Sequence, residues 1–186
     1  MIKGSGRKVI GVLLAGGLAR RMGGGDKCLR KLAGRPLLDR LIDVVKPQVD
    51  IMILNANGDA TRFASYGLPV VADVIEGYAG PLAGVLTGLE WAAENIPDAA
   101  WVASLATDAP FLPGDLVARM ISAVKSEGAD LACAASVGRM HPVFGLWPLS
   151  LRADLRAAMI DEDIRKIDLW TARYNLAIVE FETKHG

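Results

Sequence analysis

Arg20, Arg21 and Lys27 share one loop with Gly16, Gly17, Gly23, Gly24 and Gly25, in the stretch LLAGGLARRMGGGDKCL from Leu13 to Leu29. Glycine loses more backbone freedom on folding than any other residue. A loop this rich in it is therefore either merely flexible or brings its backbone very close to a ligand. Exposed backbone N–H groups with cations beside them make an anion cradle able to hold several phosphates. A solvated loop with incidental charges is the alternative. The two common phosphate loops both fail: a P-loop needs Gly-Lys followed by Ser or Thr, and Lys27 lies between Asp26 and Cys28. Neither Gly16-Gly17 nor Gly23-Gly24-Gly25 continues as G-x-G-x-x-G.

Carboxylates and amides come from further along the chain. Asp108 follows the apolar run WVASLA and opens DAPFLP. A carboxylate there suits a hard Mg2+ ion bridging phosphates, or the cap of a helix entering through the prolines. Asn55 and Asp73 each end an apolar run, as ligand contacts or as strand-end turn residues. His141 stands alone, and an isolated histidine has many structural uses. Cys28 beside Lys27 suggests a thiol of lowered pKa, although phosphate chemistry has no need of one. Trp91, Trp101, Trp147 and Trp170 read as packing rather than as a stacking platform. The inventory offers cations and carboxylates, with no evident nucleophile–histidine–acid set.

The elements that must position these residues alternate along the chain. KVIGVLL (Lys8 to Leu14), DIMILNA (Asp50 to Ala56), LPVVAD (Leu68 to Asp73) and AWVASLA (Ala100 to Ala106) are short, branched and apolar, as doubly covered strands are. DLACAA (Asp130 to Ala135), PVFGLW (Pro142 to Trp147) and AIVEF (Ala177 to Phe181) add three more. Pro36 opens a helix burying Leu37, Leu38, Leu41, Ile42 and Val45, which Pro47 closes. Pro81 opens another with Leu82, Val85, Leu86 and Leu89 at helical spacing, and a third follows Pro113. The alternation predicts an α/β fold, a Rossmann-like three-layer α/β/α sandwich with a mostly parallel sheet. Ligands bind such sheets at the carboxyl ends of the strands. The glycine loop, Asn55, Asp73 and TDAP all fall there.

Composition narrows the class. Lys plus Arg and Asp plus Glu balance at 21 each in 186 residues, which argues against a nucleic-acid-coating protein. Cys28 and Cys133 have neither metal-ligand spacing nor a disulfide framework, so a reduced compartment is expected. The basic start and short apolar stretch before the glycines are too brief for a secretory signal, and no run approaches a membrane span. The expectation is a cytoplasmic protein with no membrane association. Internal repeats, low-complexity tracts and dividing linkers are absent, so residues 1–186 read as one domain.

LAGGLARRMGGGDKCLRKLAGRPLL closely resembles the nucleotidyltransferase signature L-A-G-G-x-x-x-R-M-G-x-x-K with its downstream Gly-x-Pro-Leu. Asn55-Ala56-Asn57, Asp73, GPLAG (Gly80 to Gly84), TDAPFLP (Thr107 to Pro113) and His141-Pro142 follow in family order. The match, from Val9 to Phe181, is best to the molybdenum cofactor guanylyltransferase (MobA) family. That resemblance implies transfer of GMP from GTP to the terminal phosphate of molybdopterin (Mo-molybdopterin), with Mg2+ as cofactor and pyrophosphate released. It implies nucleotide contacts from Leu14, Ala15, Gly16, Gly17, Lys27, Asn55, Asp73 and the backbone of Gly80, Pro81 and Leu82. Arg21 and Lys27 would face the phosphates, Asp108 would hold the metal and His141 would touch the pterin substrate. The implied protein partners are those that insert molybdenum and the molybdoenzymes that receive the product. A cytidylyltransferase on the same pterin and a nucleotide-binding module without catalysis are the rival readings. The family pattern continues after its last strand into Asn-x-Asn-Thr-Pro and a further helix; IVEFETKHG lacks those asparagines, so a single domain without that segment is expected.

Overall fold

The structure, a computed structural model, describes residues 7–16, 26–77, 80–109 and 111–182. The apolar run after Arg7 forms β1 (Lys8–Leu14), with Ile10, Val12 and Leu13 fully buried. A small antiparallel hairpin follows, β2 (Lys31–Leu32) and β3 (Arg35–Pro36), turning through Ala33 and Gly34 at φ 50° and 79°. Pro36 lacks an N–H and ends the hairpin, so the chain enters α1 (Leu37–Val45) directly behind it. Then come β4 (Ile51–Asn55), β5 (Val70–Val71), α2 (Pro81–Asn95), β6 (Ala99–Ala106) and α3 (Leu116–Glu127). The last part comprises β7 (Leu131–Ser136), β8 (Arg139–Pro148), α4 (Arg152–Ile160), α5 (Ile167–Thr171) and β9 (Leu176–Glu180).

Among the described residues, seven strands form one sheet in the order β5-β4-β1-β6-β8-β7-β9. Every neighbouring pair is parallel except those made by β8, which runs antiparallel to both β6 and β7. The expected mostly parallel α/β sandwich is therefore present. The strand residues alternate between two cores. Val9, Leu13, Leu54 and Leu105 face α1 and α3, whereas Ile10, Val12, Ile53 and Val102 face α2, α4 and α5. Gly88 lets α2 lie against the sheet: a Cβ there would collide with Val12 and come within 3.2 Å of Val102. Trp147 and Trp170 are fully buried and pack at 5.9 Å between ring centroids, filling the second core as packing residues. Among the described residues, no helix is long and apolar enough to cross a membrane.

The layering fixes the hand of the connections. α1 carries the chain from β1 to β4 in one direction across the sheet, and α3 carries it from β6 to β7 in the other, yet both helices cover the same face. Two parallel crossovers on one face running in opposite directions have opposite hand. Right-handed crossovers are the rule, and α2, on the other face, shares the hand of the α1 connection, so β6–α3–β7 is the left-handed one. Helices α1 and α2 lie on opposite faces of the sheet, and the carboxyl ends of β1, β4 and β6 share one edge, where such sheets bind ligands.

Candidate functional site

Leu14 is the last residue of β1, paired with Asn55 of β4 on one side and Ala106 of β6 on the other. Its carbonyl accepts a 2.9 Å hydrogen bond from the Thr107 hydroxyl, which is buried just beyond β6. The next N–H, that of buried Ala15, donates to the Asn55 carbonyl at 2.9 Å and is thereby committed within the fold. Gly16 is the first residue to face the edge. It is exposed, and among the described residues nothing lies within 4 Å of where a Cβ would stand. Gly17 and Arg21, also expected at the site, lie outside the described residues.

Asn55 and Asp73 meet directly, as their common place at the strand ends predicts. The buried Asn55 amide donates to the Val71 carbonyl at 3.2 Å and to one Asp73 carboxylate oxygen at 2.8 Å. Asn57 takes the other oxygen at 2.8 Å and accepts the Asp73 N–H through its own amide oxygen at 2.8 Å. The turn is fastened to α2 as well, because the Thr87 hydroxyl accepts from Val74 N–H at 3.1 Å and donates to the Ala83 carbonyl at 2.8 Å. Gly84, in the first turns of α2, lies against this knot: a Cβ there would run into Asn55 Oδ1 and Leu14 Cδ2. GPLAG thus packs against the carboxyl ends of β1 and β4. Gly80 precedes α2 at φ 147°, a conformation open to glycine, and Pro81 stands exposed at the helix start. Leu82 is fully buried, backbone included, so contrary to expectation it offers no surface to a ligand here, and Gly80 and Pro81 are the exposed residues of that trio.

Lys27 and Asp108, 81 positions apart, are brought together. Lys27 Nζ lies 2.7 Å from Asp108 Oδ2, with both side chains about half exposed. The backbone under Lys27 is held firmly. Residues Lys27–Leu29 form a short 3-10 turn, the Cys28 side chain is buried, and Asp26 pairs with the Arg62 guanidinium at 2.7 Å. Arg62 also donates to the Asn57 carbonyl at 2.7 Å, so one guanidinium joins the lysine turn to the loop holding Asp73. Burial, reinforced by the Asp26 carboxylate, pushes the Cys28 thiol up to about 11. Its neutral, packed state is that of a structural cysteine rather than a reactive one. Asp108 does not cap a helix, since α3 starts at Leu116 behind Asp115.

His141 lies on β8, opposite Ala134 of β7, with its Nε2 2.6 Å from the Ser136 hydroxyl. Because β8 runs antiparallel to β6, with Ser104 opposite Gly145, its first residues extend past the carboxyl end of β6. His141 therefore belongs to the same edge as Asp108. Thr107 and Asn57 carry no site signal of their own in the sequence, although they lie within TDAPFLP and Asn55-Ala56-Asn57. Arg62 carried no signal at all in ATRFASY; only the folded chain brings it to Asp26 and Asn57.

The arrangement suits a polyanion with a hard cation. Gly16 opens the backbone to the edge, Lys27 supplies a mobile charge and Asp108 supplies oxygen ligands. Among the described residues no three His, Cys, Asp or Glu side chains gather as a metal cage. A cation at Asp108 would complete its coordination with phosphate oxygens and water, the habit of Mg2+.

Comparison with known proteins agrees with this geometry. Residues 11–174 match the family model described as a MobA-like NTP transferase domain, a span that takes in the whole of the edge just described. The chain is similar to the molybdenum cofactor guanylyltransferase of Rhodopseudomonas palustris strain BisB5, 59% identical over 170 residues, covering 91% of this chain and 81% of that protein. It is 58% identical over 171 residues to the protein of that name from Bradyrhizobium sp. strain ORS 278, covering 92% and 81%. Among solved structures, molybdopterin-guanine dinucleotide biosynthesis protein A of Archaeoglobus fulgidus superposes with a TM-score of 0.72 at 21% identity, over 93% of this chain and 83% of that one, a likeness of fold. With the family model spanning β1 to α5 and the relatives aligned over nine-tenths of the sequence, the chain belongs to the MobA-like NTP transferase family.

Proposed function

We propose that this chain is a Mg2+-dependent guanylyltransferase that moves GMP from GTP onto the terminal phosphate of molybdopterin, and that residues 1–186 act as one nucleotidyltransferase domain. The observation that carries the reading is the convergence of exposed Gly16, Lys27 and Asp108 on one sheet edge, beside the strand ends against which GPLAG packs. The guanine base lies against Gly80 and Pro81, exposed at the start of α2, with the triphosphate running past Gly16 toward Lys27 and Asp108. Asn55 and Asp73, locked to each other, hold those strand ends in place.

A phosphate monoester is already ionised near neutral pH, so no general base is required. A phosphate oxygen of molybdopterin attacks the α-phosphorus of GTP, the bond to the β-phosphate oxygen breaks, and pyrophosphate leaves. The residues therefore act by positioning and by neutralising charge. Lys27 follows the phosphates, and Arg21 is assigned to face them too. Bound at Asp108, Mg2+ supplies Lewis-acid neutralisation of the phosphate oxygens. His141, steadied by Ser136, is assigned to the pterin phosphate at the far side of Asp108. The partners in this reading are the proteins that load molybdenum and the enzymes that receive the product, in the cytoplasm where GTP is held.

The test is pyrophosphate release measured with GTP, CTP and ATP, each with and without Mg2+ and molybdopterin. Release should require GTP, Mg2+ and molybdopterin together. Asp108→Asn should lower it by about 100-fold or more, the scale on which loss of one preorganised electrostatic group acts. Preference for CTP would move the chain to cytidylyl transfer, and nucleotide binding without turnover would make it a binding module.

A further inference from the structure

One oxygen of Asp108 has two claimants. Lys27 Nζ holds Oδ2 at 2.7 Å, and the proposed metal needs the same carboxylate. A Mg2+ ion binds carboxylate oxygen at about 2.0–2.1 Å, so an ammonium on that oxygen would sit a few ångströms from a divalent charge. The two positive charges repel each other there, so each weakens the other's hold on the carboxylate. The lysine stem can leave, since it carries four flexible carbons, is half exposed and stands on a backbone pinned by buried Cys28 and the Asp26–Arg62 pair. It cannot go far, because that backbone is fixed.

We propose that Lys27 is an exchangeable counter-ion for Asp108. It keeps the carboxylate paired in the nucleotide-free protein and releases it to the metal only when phosphates draw the ammonium across. Metal and nucleotide then enter as a unit, and free divalent ions are held off the site. This rests on the assignment of Asp108 to the metal and of Lys27 to phosphate. It adds a prediction that those roles alone do not make: removing the lysine charge must act with opposite sign on the two ligands.

The experiment is direct binding of Mn2+, a paramagnetic probe for the Mg2+ site, to the full chain without nucleotide. It is followed by titration of GTP in the presence of Mn2+. Lys27→Met keeps the stem and removes the charge. It should bind free Mn2+ roughly fivefold more tightly than the parent, the scale of an exposed ion pair. The same variant should bind GTP at least about tenfold more weakly, the loss of one charge-assisted contact. Free Mn2+ affinity unchanged or weakened in Lys27→Met overturns the exchange. Asp108→Asn separates this from failure of the underlying reading. If it leaves Mn2+ binding in the presence of GTP intact, the metal assignment itself is wrong. If it abolishes that binding while Lys27→Met fails to tighten Mn2+, the exchange alone is wrong.

Discussion

Gly16 and Gly84 are the same residue type in one motif-rich edge, yet the surroundings give them opposite duties. A Cβ at Gly84 meets Asn55 and Leu14, so Gly84→Ala should push the Asn55 amide off Asp73 and strain the ends of β1 and β4. The expected loss is about 1–3 kcal/mol of stability, as for other overpacked sites, together with weaker GTP binding. Urea unfolding and a nucleotide titration read the two effects. At Gly16 no described residue occupies the space a side chain would take, so Gly16→Leu should leave unfolding unchanged and abolish GTP binding by filling ligand volume. Retained binding would mean that the loop does not approach its ligand. Cys28 makes a third case. With its thiol pushed up to about 11, almost none is thiolate at pH 8, and the side chain is buried. Alkylation at pH 8 should be negligible in the native protein and rapid after unfolding; ready modification of the folded chain would contradict the packing described.

At the scale of elements, the segment from α4 to β9 is tied by Asp154. Its carboxylate accepts from the Tyr174 hydroxyl and, at 2.8 Å, from the Trp170 indole N–H. Those two hydrogen bonds, the Tyr174 contact first, hold the carboxyl below the usual carboxylate range. The sign follows from linkage: a lowered folded pKa means that the native state binds fewer protons in acid than the unfolded chain. The stabilisation is complete above the ordinary carboxylate pKa and is lost as pH falls through it toward the lowered value. Asp154→Asn should therefore be less stable than the parent at pH 7 and should lose less stability between pH 5 and pH 3. Parallel acid limbs in the two denaturation profiles would remove Asp154 from this role. The strands and the three proline-led helices were legible because apolar period and proline placement are local properties. The β2–β3 hairpin, α4 and α5 were not, since two-residue strands and short helices carry too little periodic signal and are stabilised by what they pack against.

Over the whole molecule, a ligand that binds only the folded chain must stabilise it by mass action. GTP with Mg2+ at about 100 times its dissociation constant should add about 2.7 kcal/mol, visible as a rise in Tm, whereas CTP at the same concentration should add little. An equal shift from both nucleotides would deny that the site reads the base. The sequence by itself determined the fold class and the motif residues, because strand and helix periods, loop glycines and the run of motifs are all written along the chain. It placed Asn55 and Asp73 at the ends of strands and Asp108 behind WVASLA. Only the tertiary structure decided that Lys27 and Asp108 form a pair, that Arg62 joins two loops of the edge, and that Ala15 turns its N–H inward to Asn55. The left-handed β6–α3–β7 crossover belongs with these. Each is a relation between segments far apart in sequence. It is set by which face of the sheet a helix must cover and by how the strands register, and no local pattern of residue types encodes that choice.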